Sequence, residues 1–349
     1  MNVTAESPVI PDKMRALAAL ADKETNSTKN LVEISLPTPT PTHRDILVKV
    51  KAVSINPVDT KVRKRHAAQS NDMEPKVLGW DAAGTVVAIG DEVTHFQIGD
   101  DVWYAGEITR QGSNAEYQLV DERLVSLKPE SLNFAEAAAM PLTTLTAWEL
   151  LVDRLQVKPD DHKGLLIIGA AGGVGSVMVQ LARTISQKII VGTASRPESE
   201  EWLNELGCHH IISHQELLIP QIKELHLPAI THIASLTQTD QHFLEAAEII
   251  APQGRFGLID DPATFDIIPF KQKSVSIHWE FMYTRSMFKT DDMSKQHTIL
   301  KEAALMVDQG IIKSTINHHF GKLNLENLKA AHEFIETHCA IGKIVLEGF

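Results

Sequence analysis

Seven residues, Gly169-Ala170-Ala171-Gly172-Gly173-Val174-Gly175, carry the clearest chemical signal in this 349-residue chain. An apolar run, LLIIG, leads straight into them, and an amphipathic stretch follows. This strand–turn–helix context predicts a cradle for a pyrophosphate. Gly172 lets backbone approach the phosphates, and Gly175 lets the helix pack on the strand. The helix start adds unpaired N–H groups and a positive dipole end. Ala170 stands where the first glycine of a G-x-G-x-x-G spacing is usual, while Ala171, Gly173 and Val174 complete the loop. The competing reading is a tight turn that binds nothing. The next predicted strand ends Gly192-Thr193-Ala194-Ser195-Arg196 and brings no carboxylate. An acid there would bond a ribose 2′-hydroxyl, whereas Ser195 and Arg196 suit a 2′-phosphate. The expected cofactor is therefore NADPH rather than NADH; the alternative makes Arg196 a solvated helix-start residue.

Ligands of parallel sheets bind outside the carboxyl ends of the strands. Ser235, Leu236, Thr237, Leu258, Ile259, Trp279 and Phe281 close such strands and are candidate cofactor contacts, or else ordinary loop. His214 follows the third strand and is either a contact to the adenosine end or a surface histidine.

The elements that must hold these residues change character along the chain. Residues 1–13 read as a polar tail broken by Pro8 and Pro11. Alternating segments at 31–36, 45–55, 84–89, 101–104, 115–120 and 124–128 predict short, half-buried strands of an antiparallel barrel or sandwich. Pro37 to Pro41 forms an extended connector. From about 134 a helical pattern, interrupted near Pro141, runs to 155. Strands at 165–169, 188–194, 210–213, 230–235, 254–259 and 275–281 then alternate with helices at 173–186, 197–206, 215–225 and 239–250. Continuous apolar strands such as LLIIG are buried on both faces, as in a parallel sheet covered by helices. Helices at 294–309 and 325–338 and a strand at 343–346 close the chain's pattern.

Composition narrows the functional classes. A net charge of −12 repels phosphodiester backbones and anionic lipid, so neither nucleic acid nor a membrane is an expected partner. The two cysteines, Cys208 and Cys339, exclude a disulfide framework and a four-cysteine metal site. No apolar run is long enough to cross a bilayer, and the first residues lack a signal peptide's basic start and apolar core. A cytoplasmic globular protein is the expectation.

Five stretches resemble the medium-chain dehydrogenase/reductase superfamily, and within it the zinc-independent quinone oxidoreductase branch. They are VSINPVDTKVR (53–63), LGWDAAGTVVAIGDEVTHFQIGDDVW (78–103), AAAMPLTTLTAWELL (137–151), GAAGGVGS (169–176) and GKIVLEGF (342–349), in the family's order. The resemblance implies an α/β fold: a doubly wound Rossmann parallel sheet inserted in a GroES-like β-barrel domain. The GroES-like catalytic domain would comprise 1–137 and 284–349, and the Rossmann domain 138–283. It also implies an active site in the cleft between them, a homodimer, and a segment at Gly342 and Lys343 close to the cofactor.

The chain is similar in particular to a subgroup labelled zinc-type alcohol dehydrogenase-like. Zinc-using relatives place Cys, then His-Glu, then Cys or an acid around the metal. Those positions fall here on Asn56, on Trp80 and Asp81, and near Pro141 and Leu142, which is no three-ligand zinc set. Adjacent histidines at 209–210 and 318–319 point to opposite faces if they lie on strands, so they form no metal pair. No metal site is expected. A metal-free reductase of quinones or α,β-unsaturated carbonyl compounds fits better. Hydride added to a conjugated system leaves a delocalised anion that a few hydrogen-bond donors can stabilise. The catalytic candidates are Asn56, Lys61 and Thr144. Relatives often have Tyr where Lys61 stands, so a solvated loop lysine is its alternative, and helix packing is that of Thr144. The rival functions are a zinc-type alcohol dehydrogenase and a non-catalytic NADPH-binding protein, whether a sensor or a crystallin-like RNA binder.

Overall fold

The computed structural model describes residues 9–21, 27–68 and 74–349. Of the expected polar tail, residues 1–8 lie outside the described residues. The described chain divides into two compact units. One runs through Leu142 and resumes with Tyr283–Phe349; the other is Thr143–Met282.

The strands up to residue 127 are β1 (Lys13–Ala19), β2 (Leu31–Pro37), β3 (Asp45–Ile55), β4 (Lys76–Val77), β5 (Ala82–Ile89), β6 (Asp101–Tyr104), β7 (Tyr117–Asp121) and β8 (Val125–Leu127). Those of the second unit are β9 (Gly164–Ile168), β10 (Ile189–Ala194), β11 (His210–Ser213), β12 (Ile230–Ser235), β13 (Arg255–Leu258) and β14 (Ser276–Trp279). The last two, β15 (Ile316–His319) and β16 (Lys343–Glu347), return to the first unit. The helices the site depends on are α1 (Pro57–Ala67), α2 (Phe134–Ala138), α3 (Pro141–Trp148), α4 (Gly173–Ile185), α5 (Pro197–Glu205), α6 (Leu218–Glu224) and α7 (Thr239–Ile249). Three more follow: α8 (Thr284–Met287), α9 (Lys295–Asp308) and α10 (Leu325–Glu336).

In the first unit β3 is the central member. One edge pairs antiparallel with β5. The other pairs with β7 along its first half and with β16 along its second. Strands β6 and β8 extend the sheet beyond β5, and β15 extends it beyond β16. A second sheet, in the order β2-β1-β4, meets it through a bridge between Ala16 and Ala115. The alternation of DILVKVKAVSI breaks down at its end, where Ala52, Val53, Ser54 and Ile55 are all buried. Helices α2 and α10 both pack on β3.

Three local expectations need correction. The stretch after Ile55, expected as loop, is α1. Its first residue Pro57 is pre-set for helix, and the Asp59 carboxylate accepts the Asn56 N–H at 2.6 Å, half of a capping box. Its sequence lacks a continuous apolar stripe, which hid it. Residues 149–154 form a π-helix rather than α-helix, with Leu155 N–H bonded to Leu150 O. Strand β15 was not foreseen. It does separate His318, against the Phe334 ring, from exposed His319.

The second unit is one parallel sheet in the order β11-β10-β9-β12-β13-β14. Its core is Leu166, Ile168, Val191, Ile233, Phe256 and Phe270 with their neighbours. The strand order reverses between β9 and β12. In open α/β sheets that reversal marks the ligand crevice. Helix α4 lies close on the turn that follows β9. A Cβ on Gly175 would stand 2.4–2.6 Å from the backbone of Ala170, which has no flexible end to move. Gly175→Val is therefore expected to lose roughly 1–3 kcal/mol by overpacking. Urea unfolding checks this: a lower midpoint at unchanged slope is expected, and an unchanged midpoint refutes the close approach.

Candidate functional site

In the second unit the glycine turn stands at the strand reversal. Gly169 has φ +82°, and its N–H donates to Thr193 Oγ1 at 2.9 Å. The positive φ of the tight turn thus falls one residue before Ala170, the position the usual spacing suggests. Ala170 itself is buried and packs where a Gly192 side chain would stand, 2.9 Å away. Gly172 caps α4 in extended conformation, and a Cβ there would meet only Gly169 O, at 3.5 Å. The first-turn N–H groups of Gly173, Val174 and Gly175 have no intrahelical acceptors, and no side chain caps them. Ala171 to Val174 are half-buried. The turn has both the room and the donors a pyrophosphate needs.

Beyond β10, Ser195 and Arg196 are half-buried, and the end of the strand carries no acid. The Arg196 backbone is fixed as the start of α5: its N–H donates to Ser199 Oγ, whose hydroxyl donates back to Arg196 O at 2.7 Å. His214 follows β11, its N–H bonded to Ala194 O. Burial, then nearby His242 and Arg196, holds its imidazole below the usual value. Arg196 and His214 therefore share a neighbourhood.

The remaining strand-end candidates divide. Leu236 N–H bonds to Ile168 O, and Thr237 lies over Gly169, so both border the glycine turn. Ile259 is half-buried beside them, its N–H on Ser235 O. The Ser235 hydroxyl is sealed inside, sharing a 2.7 Å bond with Thr239 Oγ1, which also donates to Asp260. Ser235 and the fully buried Leu258 support the site from below. Trp279 and Phe281 are largely exposed. Thr144, on α3, is fully buried, and its hydroxyl has no protein partner.

The first unit holds a different kind of centre. The Lys343 ammonium, 3% exposed as a residue, is 3.1 Å from Asp81 Oδ2, and it donates to Asn56 Oδ1 and Ile55 O. Asp81 accepts the Leu142 N–H on its other oxygen and the Asn56 amide at 3.1 Å. Burial drives Asp81 and Lys343 towards their neutral forms, and their mutual attraction opposes it. Asp59, also buried, has its carboxyl pushed up to about 7 by desolvation.

This arrangement reassigns three candidates. Asn56 is buried with its amide committed to Ser54 O, Asp81 and Lys343, so it has nothing left to donate to a substrate. Lys343, expected near a cofactor, is bound within the same network. Lys61 stands on the exposed face of α1, not in a loop. The residues do not fit a zinc ion either. Trp80 donates its indole N–H to Glu107 O, and an ammonium already sits beside the one carboxylate. No group of three or more potential ligands occurs among the described residues. Asp59 was not among the candidates drawn from the sequence, although Asn56-Pro57-x-Asp59 is a legible helix start.

A reversing parallel sheet with a glycine turn at the reversal, plus a β-rich unit built from both flanks of the chain, defines a dinucleotide-dependent dehydrogenase or reductase. Comparison with known proteins agrees. Residues 42–130 match the family model described as alcohol dehydrogenase GroES-like domain, and residues 206–346 match that of zinc-binding dehydrogenase. A zinc-type alcohol dehydrogenase-like protein of Staphylococcus aureus (strain MSSA476) is 40% identical over 316 residues, 88% of this chain and 92% of the relative. An NADPH-dependent alkenal/one oxidoreductase of Arabidopsis thaliana is 27% identical, covering 99% of this chain and 82% of its own. Among solved structures, a Rhizobium etli CFN 42 protein provisionally described as a zinc-dependent alcohol dehydrogenase is 49% identical with TM-score 0.91, over 97% of this chain and 98% of its own. The Coxiella burnetii quinone oxidoreductase has TM-score 0.78 and 25% identity, over 96% and 99%. The chain belongs to the medium-chain dehydrogenase/reductase superfamily, whose oxidoreductases bind a nicotinamide cofactor. Its first unit contains the GroES-like domain and its second is the Rossmann sheet.

Removing one member of the buried pair leaves a charge without its counterpart, which typically costs about 3–5 kcal/mol. Lys343→Met is expected to lose that much in denaturant unfolding. Adding Asp81→Asn is expected to restore most of it. A Lys343→Met protein as stable as wild type would show that the pair does not form.

Proposed function

We propose that this oxidoreductase is an NADPH-dependent reductase of quinones or α,β-unsaturated carbonyl compounds that uses no catalytic metal. The lysine-centred network carries the reading: where a metal-dependent relative would need three ligands, this chain has Asn56, Trp80 and Asp81 bound up with Lys343 and Glu107. The described relatives that reduce alkenals or quinones support the substrate class. Bound NADPH would supply the hydride. The backbone of Ala171 to Gly175 would hold its pyrophosphate, and Ser195 with Arg196 would hold its 2′-phosphate. Thr144 has a buried hydroxyl with no protein partner, a fixed donor for an oxygen or amide brought to it. A conjugated acceptor spreads its developing charge, so such a donor suffices without a Lewis acid. We extend the proposal to a homodimer; β14 is the end strand of its sheet among the described residues and, with exposed Trp279, offers a second copy an edge to extend.

The deciding experiment is NADPH oxidation over a panel of quinones, enones and simple alcohols or aldehydes, with and without EDTA. Turnover of quinones or enones unaffected by EDTA is expected. Activity confined to alcohols and abolished by chelation would make it a zinc enzyme, and no turnover at all would leave a binding protein.

Two binding measurements follow from the cofactor contacts. NADPH is expected to bind at least tenfold tighter than NADH, because a charge-assisted contact contributes about 1.5–3 kcal/mol and about 1.4 kcal/mol is tenfold. Arg196→Ala is expected to remove most of that difference in titration calorimetry; equal affinities for wild type would sink the assignment. Gly172→Val has room in the free protein, so its melting temperature without ligand should match wild type. Its side chain would fill the cradle, and NADPH affinity is expected to fall tenfold or more. Undiminished affinity would mean the turn is no phosphate site.

A further inference from the structure

The peptide between Gly172 and Gly173 decides what the glycine turn shows to a ligand. The carbonyl and the N–H of one trans peptide point in opposite directions. With the Gly172 oxygen turned along α4, the Gly173 N–H faces out of the helix start, where a phosphate would sit. Turned over, the same peptide would put a carbonyl oxygen against that phosphate. A peptide flanked by two glycines meets little steric resistance to such a rotation. Neither residue has a side chain to prevent it, so the restraint must come from elsewhere.

It comes from α4 and α5. The Gly172 oxygen accepts the Ser176 N–H at 2.9 Å, the first bond of the helix. It also accepts the Ser176 hydroxyl at 2.8 Å, and Ser176 Oγ lies 3.3 Å from Ala171 O. The same Oγ receives the indole N–H of Trp202, on α5, at 2.8 Å. Ser176 is fully buried and Trp202 half-buried. The direction of these bonds is fixed by chemistry. An indole nitrogen only donates, so the serine oxygen must accept from it, and the one hydroxyl proton is left for the carbonyls of the turn.

We propose that Trp202 is a positioning residue for the pyrophosphate turn: its N–H commits the Ser176 hydroxyl to the Gly172 oxygen, which keeps the Gly173 N–H aimed at the phosphates. The inference rests on the reading of the turn as a phosphate cradle and deepens it by bringing a side chain of α5 into it. It concerns the pyrophosphate and not the 2′-phosphate, because the Arg196 backbone is held within α5 by Ser199.

Titration calorimetry of NADPH and NADH with wild type, Trp202→Phe, Ser176→Ala and the double variant gives the test. Trp202→Phe keeps an aromatic ring and removes the N–H. Its affinity for both dinucleotides is expected to fall by roughly three- to tenfold, the size of one ordinary hydrogen bond, with the melting temperature of the free protein unchanged. Adenosine 2′-monophosphate, which has no pyrophosphate, is expected to bind Trp202→Phe as it binds wild type. Both side chains act through one relay, so the double variant is expected to bind no more weakly than the weaker single one. Additive losses, a loss confined to NADPH, or an equal loss for adenosine 2′-monophosphate overturns the inference. Should Trp202→Phe not fold, Ser176→Ala carries the test with the same expected loss. If wild type binds the dinucleotides and the variants bind them equally well, this inference alone falls; if wild type binds neither, the cradle falls with it.

Discussion

One buried ammonium organises the first unit. Lys343 reaches from β16 to Ile55 at the end of β3, to Asn56 at the start of α1, and to Asp81 just before β5. Asp81 in turn holds the first turn of α3 through the Leu142 N–H. Four separate segments are thereby fixed by two side chains. Such a pair adds little net stability, because desolvating both charges offsets most of their attraction. Its effect is on register. Any arrangement that separates the two leaves a charge in a dry interior, and the alternatives are removed by that penalty.

How much of this the sequence made legible depended on whether backbone or side chains do the work. The glycine turn could be read because its demands are those of main chain and fall on contiguous residues: close packing at Gly175 and an open face at Gly172. Even there, Gly169 rather than Ala170 supplies the left-handed turn, a shift invisible without dihedral angles. The parallel strands were legible for a related reason, since burial on both faces makes them continuously apolar. The polar centre was not. Its members lie at 56, 81, 142 and 343, too far apart in the chain for their mutual bonding to show in the sequence. Helix α1 was missed because PVDTKVRKRHA has no apolar stripe; its cap, not its hydrophobicity, defines it. Asn56 and Lys343 were expected to face ligands because polar residues beside a site invite that reading, and the structure turns both towards each other.

Charge acts differently at long and at short range in this protein. The chain carries a net −12, which opposes an anionic nucleotide at long range. At physiological ionic strength such repulsion fades within about 8 Å. Close in, the uncapped start of α4 presents the opposite sign. An acidic surface thus disfavours polyanions, which need many contacts, far more than a small anion that needs few.

The two buried partners Asn56 and Lys343 are 287 residues apart, with the whole of the second unit between them. At ribosomal speeds of about 5–20 residues per second, roughly 15–60 s separate their synthesis. The second unit is an uninterrupted stretch and has all its strands well before β16 emerges. The first must wait, with the edge of β3 open and Asp81 still without its counter-ion. In a growing chain the nucleotide-binding half is therefore finished first. The other half stays a client for whatever shields unpaired strands until its last strand arrives.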